Sequence, residues 1–328
     1  MIANFLDDWG AILEDQLRRR GVKIASGQDH QRISFAYWNS VRRHIHARAR
    51  EVKVADTFTC PPENQQGLDD LRTKLERGED VNPHLSAACR DADDPNFHDR
   101  LLNDWDIQHL HLGPTRSTSL VERSRNVLFA RITPSTAYLI AILDHRHKDL
   151  PVGTFPVWFR TAVFETLHRN WPESIAHWRE DGWGVEGAAD SDADVLGFRG
   201  RQATKGKNPK PATPNFTYLL KLSDASVYFP VGGGSTMSGH GTHVIHTSNW
   251  YSNRVAAVTD DVAQNRDKIL DLIRADGGNP GDPPHFHFHL TRGLGVYVTE
   301  AGAPEIGVTL GRFLPTSGSL PRYRFRWA

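Results

Sequence analysis

Two histidines alternate with leucines in the segment LLNDWDIQHLHLG, residues 101–113. Successive side chains of a β-strand point to opposite faces, so His109 and His111 share one face while Leu110 and Leu112 share the other. Such a strand presents either a polar face turned to water or the floor of a site. Which alternative holds depends on the residues that other parts of the chain bring close to this face.

A second histidine group lies in the segment LDHRH, residues 143–147, which contains Asp144, His145 and His147. Strand-like runs at 107–112, 126–132 and 137–144 predict a three-stranded meander, because the turn signal TPST joins the last two. The end of the third strand is then expected near the first. Imidazoles with a carboxylate suit Zn²⁺, Mn²⁺ or Fe²⁺. The candidate metal ligands are His109, His111 and His145, and Asp144 is expected to orient a histidine.

The same histidines are also suited to acid–base chemistry without a metal. One neutral imidazole would take a proton from a ribose 2′-hydroxyl, and one imidazolium would protonate the leaving oxygen. Three arginines that follow the first strand are candidates to hold a phosphate: Arg116, Arg123 and Arg125. A metal site, a metal-free acid–base site and a wet sheet face all remain open at this point.

The segment PPHFHFHL near the carboxyl end repeats the alternation. His285, His287 and His289 share one strand face, while the intervening residues face a core. Residues two apart on a strand are separated by about 7 Å, so one metal ion could take two of these imidazoles and scarcely three. His287 and His289 are therefore weaker candidate metal ligands.

The segment VGGGSTMSGHG, residues 231–241, predicts a flexible Gly-rich loop that could wrap a ligand. The overlapping segment SGHGTHVIH resembles the histidine motif of subtilisin-like serine proteases, which would make His240 a general base. No Asp-Ser/Thr-Gly motif precedes it, and the serine segment comes before the histidine instead of after it. The order of that catalytic triad is therefore not met. His243 and His246 are expected on opposite faces of a strand at 243–247.

Composition limits the function classes. The chain has 328 residues, 39 Lys plus Arg against 39 Asp plus Glu, 17 histidines and two cysteines. Balanced charge does not indicate a polyanion partner, although nucleic acid or nucleotide binding at a local site stays open. Two cysteines give no disulfide framework and fit a reducing compartment. No apolar run is long enough for a membrane span, so we expect a cytoplasmic protein with no membrane partner.

The periodicity predicts an α+β fold with two units, each a small, mostly antiparallel sheet with flanking helices. The expected units are 1–180, with the meander, and 216–328, with the Gly-rich loop and the His-x-His-x-His strand. Residues 181–215 are expected to form a linker or mobile loop. The end and exit of the second predicted helix are strongly basic, which predicts a solvated face or a phosphate-contacting surface formed by Arg42, Arg43, His44, His46, Arg48 and Arg50. The predicted helices cover about 5–20, 31–48, 67–77, 157–170 and 260–275.

The segment LLNDWDIQHLHLG resembles uncharacterised bacterial proteins over roughly residues 55–172. The resemblance implies a bacterial or phage origin and names no activity.

The leading hypothesis is a nuclease-like hydrolase of phosphodiester or nucleotide substrates, with the histidine cluster as metal ligands or as an acid–base pair. One alternative is a non-catalytic module that binds nucleic acid or protein through the Gly-rich loop and the segment KGKNPKPATPN. Another is a metal-dependent oxygenase with a site of two histidines and one carboxylate, Asp144. Convergent histidines would indicate an enzyme, and histidines splayed on a flat wet face would indicate a binder.

Overall fold

The computed structural model describes residues 4–94, 97–115, 120–144, 160–180, 188–189, 191–192, 194, 219–236 and 239–313. Seven α-helices and three small, mostly antiparallel sheets lie within these ranges, which confirms the α+β class. The helices are α1 (Phe5–Arg19), α2 (His30–Arg43), α3 (Gln65–Arg77), α4 (Arg100–Trp105), α5 (Thr161–Asn170), α6 (Thr242–Gln264) and α7 (Arg266–Ala275). The strands are β1 (Glu51–Val54), β2 (Gln108–His111), β3 (Asn126–Ile132), β4 (Thr136–Asp144), β5 (Arg179–Glu180), β6 (Leu220–Lys221), β7 (Val227–Tyr228), β8 (Phe286–Leu290), β9 (Gly295–Glu300) and β10 (Ala303–Arg312).

The chain divides into two compact units, each made of segments that are separate in sequence. Unit 1 comprises Met1–Val41, Arg90–Asp93 and Val244–Ala328, and unit 2 comprises Arg42–Cys89 and Asp94–His243. The division expected from the sequence was contiguous, with a linker at 181–215. Ala189, inside that segment, is fully buried and forms a β-bridge with Leu220 of unit 2. Most of the remaining segment lies outside the described residues.

Unit 2 contains the meander expected from the sequence. Strands β2, β3 and β4 pair antiparallel in sequence order, and β1 adds a fourth strand parallel to β4. The sequence analysis missed β1 because its four residues, EVKV, give too short a pattern to stand out. β2 therefore forms one edge of the sheet, two strand positions away from β4.

Both faces of this sheet are covered. On one face Leu110 and Leu128 pack in a cluster with Leu68, Leu71 and Leu75 of α3. On the other face a second buried cluster forms, and its members include Val127, Phe129, Trp105 and Phe164. A side chain on either face of β2 is consequently removed from water.

Unit 1 contains a three-stranded antiparallel sheet in the order β10-β9-β8. The apolar stripe of α1 packs on one face of it, and Phe5 lies 5.8 Å from Phe288 between ring centroids. Buried and half-buried residues alternate along β8, as expected for a sheet with one covered face.

The sequence also predicts a strand at 243–247, two cysteines without a disulfide framework and no membrane span. Residues 243–247 lie in the first turns of α6, so the predicted strand is wrong. The buried residues Val244, Thr247, Ser248, Tyr251 and Val255 recur with a helical period, which five residues were too few to reveal. Both cysteines are free. Among the described residues, none of the helices combines the length and apolar character that a bilayer span needs.

Candidate functional site

His109 and His111 are buried side chains of β2, with 6 % and 3 % of their surface exposed. His109 lies opposite Phe129 and His111 lies opposite Val127 in the β2–β3 ladder. Directly opposed residues project from the same face, so both imidazoles share the face of the cluster that contains these two apolar residues. The wet sheet face considered from the sequence is therefore not what the structure shows for these two histidines.

A buried carboxylate lies beside the first imidazole. Asp99 Oδ2 is 3.3 Å from His109 Nδ1 and 3.8 Å from Arg43 Nη2. Asp99 Oδ1 accepts a hydrogen bond from the Leu102 backbone N–H at 3.2 Å, which makes Asp99 the side-chain cap of α4. Asp106, with φ 58°, ends this short helix in the left-handed region and leads the chain into β2. The α4 cap and turn thereby bring a residue ten positions upstream against His109.

The electrostatics of Asp99 follow from this contact. Burial alone would raise the pKa of its carboxyl group. The charge and hydrogen bonding of His109, together with the Arg43 guanidinium and the Leu102 N–H, lower the pKa below its ordinary value instead. Asp99 is thus an ionised partner for His109 across the neutral pH range.

His111 has a different environment. Burial, followed by the nearby charges of His109 and Arg123, lowers the pKa of His111 to about 4. Its backbone carbonyl accepts a hydrogen bond from His84 Nδ1 at 2.8 Å, and His84 Nε2 lies 3.3 Å from Lys74 Nζ. Burial also lowers the pKa of His84. At neutral pH, His111 is therefore an uncharged imidazole on a strand end held by α3 and its following segment.

The three candidate phosphate-binding arginines have different outcomes. Arg116 lies outside the described residues. Arg125 Nε is 3.1 Å from Asp144 Oδ2, in an ion pair. Arg123 is exposed, its charge reaches His111, and it forms none of the ion pairs found in the described part of the chain. Ser124, next to it, is held to the residue that directly follows β2, because its Oγ accepts the Leu112 N–H at 3.0 Å.

The candidate metal set does not converge within the described residues. Asp144 pairs with Asn126 of β3 in the sheet register, and β3 separates it from β2. The carboxylate that the structure places beside His109 is Asp99, which the sequence analysis did not single out. His145 and His147 lie outside the described residues. Within the described ranges, no group of three or more His, Cys, Asp or Glu side chains is arranged to hold a metal ion.

The basic end and exit of α2 divide between interior and surface, so the expected solvated or phosphate-contacting face is only partly present. Arg42, Arg43 and Arg50 are buried, whereas His44, His46 and Arg48 are exposed. Arg42 and Arg43 are 4 % and 3 % exposed. Arg42 donates to the carbonyl oxygens of Leu102 and Gly232 and to Asn103 Oδ1, and Arg43 donates to the Phe97 carbonyl. These guanidinium groups fix the α4 region because they bind its backbone oxygens.

The Gly-rich loop wraps a part of its own chain. Gly232 N–H donates to the Asp104 carbonyl at 2.8 Å, Gly234 N–H to the Asn103 carbonyl at 3.0 Å, and Ser235 Oγ to Asp104 Oδ1 at 2.8 Å. A Cβ at Gly232 would lie 2.3 Å from the Asn103 carbonyl oxygen, so only glycine allows this approach. The loop therefore clamps the segment that leads into β2.

Two more imidazoles lie on these segments. His98 directly precedes Asp99, and its ring contacts that of His240 at 4.3 Å between centroids, nearly perpendicular. His240 belongs to the Gly-rich loop. Sequence analysis had considered His240 only through the protease resemblance, and His98 escaped notice because it stands alone in a polar run.

The histidines of unit 1 are more exposed. The His287 side chain is 42 % exposed, and its Nδ1 lies 3.4 Å from Asp8 Oδ1. His289 Nε2 lies 2.9 Å from Thr299 Oγ1, and the His289 ring stacks on Tyr297. Burial lowers the pKa of His289. Both imidazoles therefore contact side chains of the same unit, His287 with α1 and His289 with the neighbouring strand β9.

Comparisons of the chain with protein-family models, with curated proteins and with solved structures found no match.

Proposed function

We propose that unit 2 carries a metal-independent acid–base site for cleavage of phosphodiester substrates. His109 and His111 are its two proton-transfer groups, Asp99 is the partner of His109, and Arg123 is the phosphate-binding cation. The observation that carries the proposal is the pairing of two buried imidazoles on one strand face in opposite electrostatic surroundings. Environments that separate the protonation behaviour of paired groups are typical of acid–base sites.

The spacing of the imidazoles suits displacement at phosphorus. Residues two apart on one strand face are separated by about 7 Å. A phosphate group fits between such a pair, with a hydrogen bond of about 2.8 Å from one imidazole to the attacking oxygen and from the other to the leaving oxygen. Attack and departure occur on opposite sides of phosphorus, so each histidine serves one oxygen.

The charges assign the roles. The carboxylate of Asp99 lies 3.3 Å from His109 Nδ1 and places a negative charge next to this imidazole, so we assign His109 the role of proton donor. His111, whose pKa is lowered to about 4, is unprotonated at neutral pH and accepts one. A phosphate at Arg123 would offset the cationic charge around His111 and strengthen it as a base.

The small exposed fractions of both imidazoles set a condition on catalysis. A substrate reaches them only after local opening of the protein around β2. Turnover is therefore expected to depend on that opening as well as on the chemical step.

The test is phosphodiester cleavage by the full chain in EDTA, with a fluorogenic single-stranded RNA and bis(p-nitrophenyl) phosphate as probes. His109→Ala and His111→Ala should each reduce kcat by about 10²–10⁴-fold. His287→Ala, the same change on β8, should leave kcat unchanged. Cleavage that survives in both β2 variants, or that the wild-type chain lacks for both probes, would overturn the proposal.

An added metal arm separates the two uses of the same histidines. Cleavage that EDTA abolishes, and that Zn²⁺ or Mn²⁺ restores in the wild-type chain only, would support ligand roles for His109 and His111 in place of acid–base roles.

A further inference from the structure

We infer that the substrate is single-stranded RNA, cleaved by its own 2′-hydroxyl to leave a 2′,3′-cyclic phosphate and a 5′-hydroxyl. This inference rests on the proposed acid–base function and adds the substrate class and the product.

The source of the attacking nucleophile bears on the substrate class. The charged side chains that the structure describes beside the imidazoles are Asp99, Arg43 and Arg123, which stabilise charge and carry no hydroxyl or thiol. The hydroxyl beside Arg123 is committed, because Ser124 Oγ accepts the Leu112 N–H and donates to the Asn126 carbonyl at 2.5 Å. Cys60 and Cys89 pack against the leucine cluster on the opposite face of the sheet. The attacking oxygen is therefore expected to come from the substrate.

The rate contributions of the available groups also favour RNA over DNA. A positioned general acid or base contributes about 10²–10⁴-fold each. A nucleophile held within the substrate adds an effective concentration of about 10⁵–10⁸ M, which a 2′-hydroxyl provides and a deoxyribose does not. Two imidazoles and a cation are thus sufficient machinery for RNA, whereas DNA would require the protein to supply and activate the nucleophile.

The step balances without a co-reactant. His111 takes the proton of the 2′-hydroxyl while the O2′–P bond forms. The P–O5′ bond breaks, and its electron pair stays on O5′, which takes a proton from His109. The cyclic phosphate and the 5′-hydroxyl leave, and solvent returns the two histidines to their starting protonation states.

The burial of the two imidazoles restricts the shape of the substrate. His109 and His111 are 6 % and 3 % exposed, so a phosphodiester must enter the protein surface to lie between them. The backbone of a rigid duplex cannot bend into such a position, whereas an unpaired strand can splay its nucleotides. Single-stranded RNA fits this condition.

The experiment uses three matched oligonucleotides in EDTA: DNA with one central ribonucleotide, the same strand with 2′-O-methyl at that position, and all-DNA. We expect cleavage of the first strand only, at the ribonucleotide, and a 5′ fragment one water lighter than the linear phosphate by mass spectrometry. His111→Ala should abolish this cleavage, and His289→Ala should not.

The outcomes separate the RNA inference from the phosphodiester proposal. Cleavage of the 2′-O-methyl or all-DNA strand, or a linear phosphate formed from the first moment of reaction, would overturn the RNA inference and leave the phosphodiester proposal standing. No cleavage of these strands or of the fluorogenic RNA, with bis(p-nitrophenyl) phosphate still cleaved, would overturn the RNA inference alone, and no cleavage of any of these probes would overturn both.

Discussion

β2 and β8 carry the same His-x-His alternation and give it different surroundings. β2 belongs to a sheet covered on both faces, and all four of its residues are buried. β8 belongs to a sheet whose one covered face takes its apolar residues, so His287 and His289 are only half-buried. The alternation alone therefore does not distinguish a buried pair of imidazoles from a polar sheet face. The elements packed over the strand make that distinction.

Removal of the buried charge should produce the largest difference between the two strands. Asp99→Asn keeps a good helix cap and deletes the carboxylate between His109 and Arg43, leaving the buried Arg43 guanidinium without that anion. Loss of one partner from a buried ion pair costs about 3–5 kcal/mol. Asp8→Asn, beside the more exposed His287, should cost about 1 kcal/mol or less. Urea unfolding measures both, and equal losses would contradict the comparison.

The pH dependence of stability should differ as well. The pKa of His111 is about 4 in the folded chain and about 6.5 when unfolded, so the unfolded state binds more protons between these values. Stability then falls as the pH drops from 6.5 to 4, by about 3 kcal/mol for this group. His111→Asn should flatten that part of the stability profile. His289→Asn should flatten it less, because His289 is only partly buried. An unchanged profile in the first variant would contradict the buried environment.

Substitution of two glycines tests how closely the Gly-rich loop packs against the α4 region. Gly232→Ala places a Cβ 2.3 Å from the Asn103 carbonyl oxygen and should cost about 1–3 kcal/mol. Gly293→Ala, in the turn after β8, meets nothing closer than 3.8 Å and should change stability by less than about 0.5 kcal/mol. Thermal unfolding compares them. A neutral Gly232→Ala would indicate that the loop is loosely held.

Chemical modification of the histidines perturbs the protein least and measures the exposure of their side chains directly. Diethyl pyrocarbonate should modify His285 and His287 early and His109 and His111 only as the protein opens. Peptide mass mapping at short reaction times gives the order. Early labelling of the β2 histidines would place them on a wet face.

Local pattern predicted much of this site and none of its long-range contacts. The meander and the shared face of His109 and His111 follow from alternation and a turn signal. Asp99 lies beside His109 only because α4 ends at Asp106 and turns the chain back, a geometry that spacing does not encode. Its one local sign is a cap residue before the short helical run RLLNDW.

The buried arginines failed for a related reason. Arg42 and Arg43 have the composition of a solvated face, and the carbonyl oxygens that bind them come from segments distant in sequence. The predicted strand at 243–247 failed because β-branched residues at the start of a long helix imitate a strand over a short window.

The clamp also orders events during synthesis. Gly232, Gly234 and Ser235 bind Asn103 and Asp104, about 130 positions earlier in the chain. Until the ribosome has released them, the segment entering β2 lacks those partners, and the closure joins distant parts of the chain at an entropic cost. A nascent chain that ends near residue 180 would contain every histidine of the proposed site and still lack its brace. The proposed site would therefore be braced late, only when the Gly-rich loop emerges.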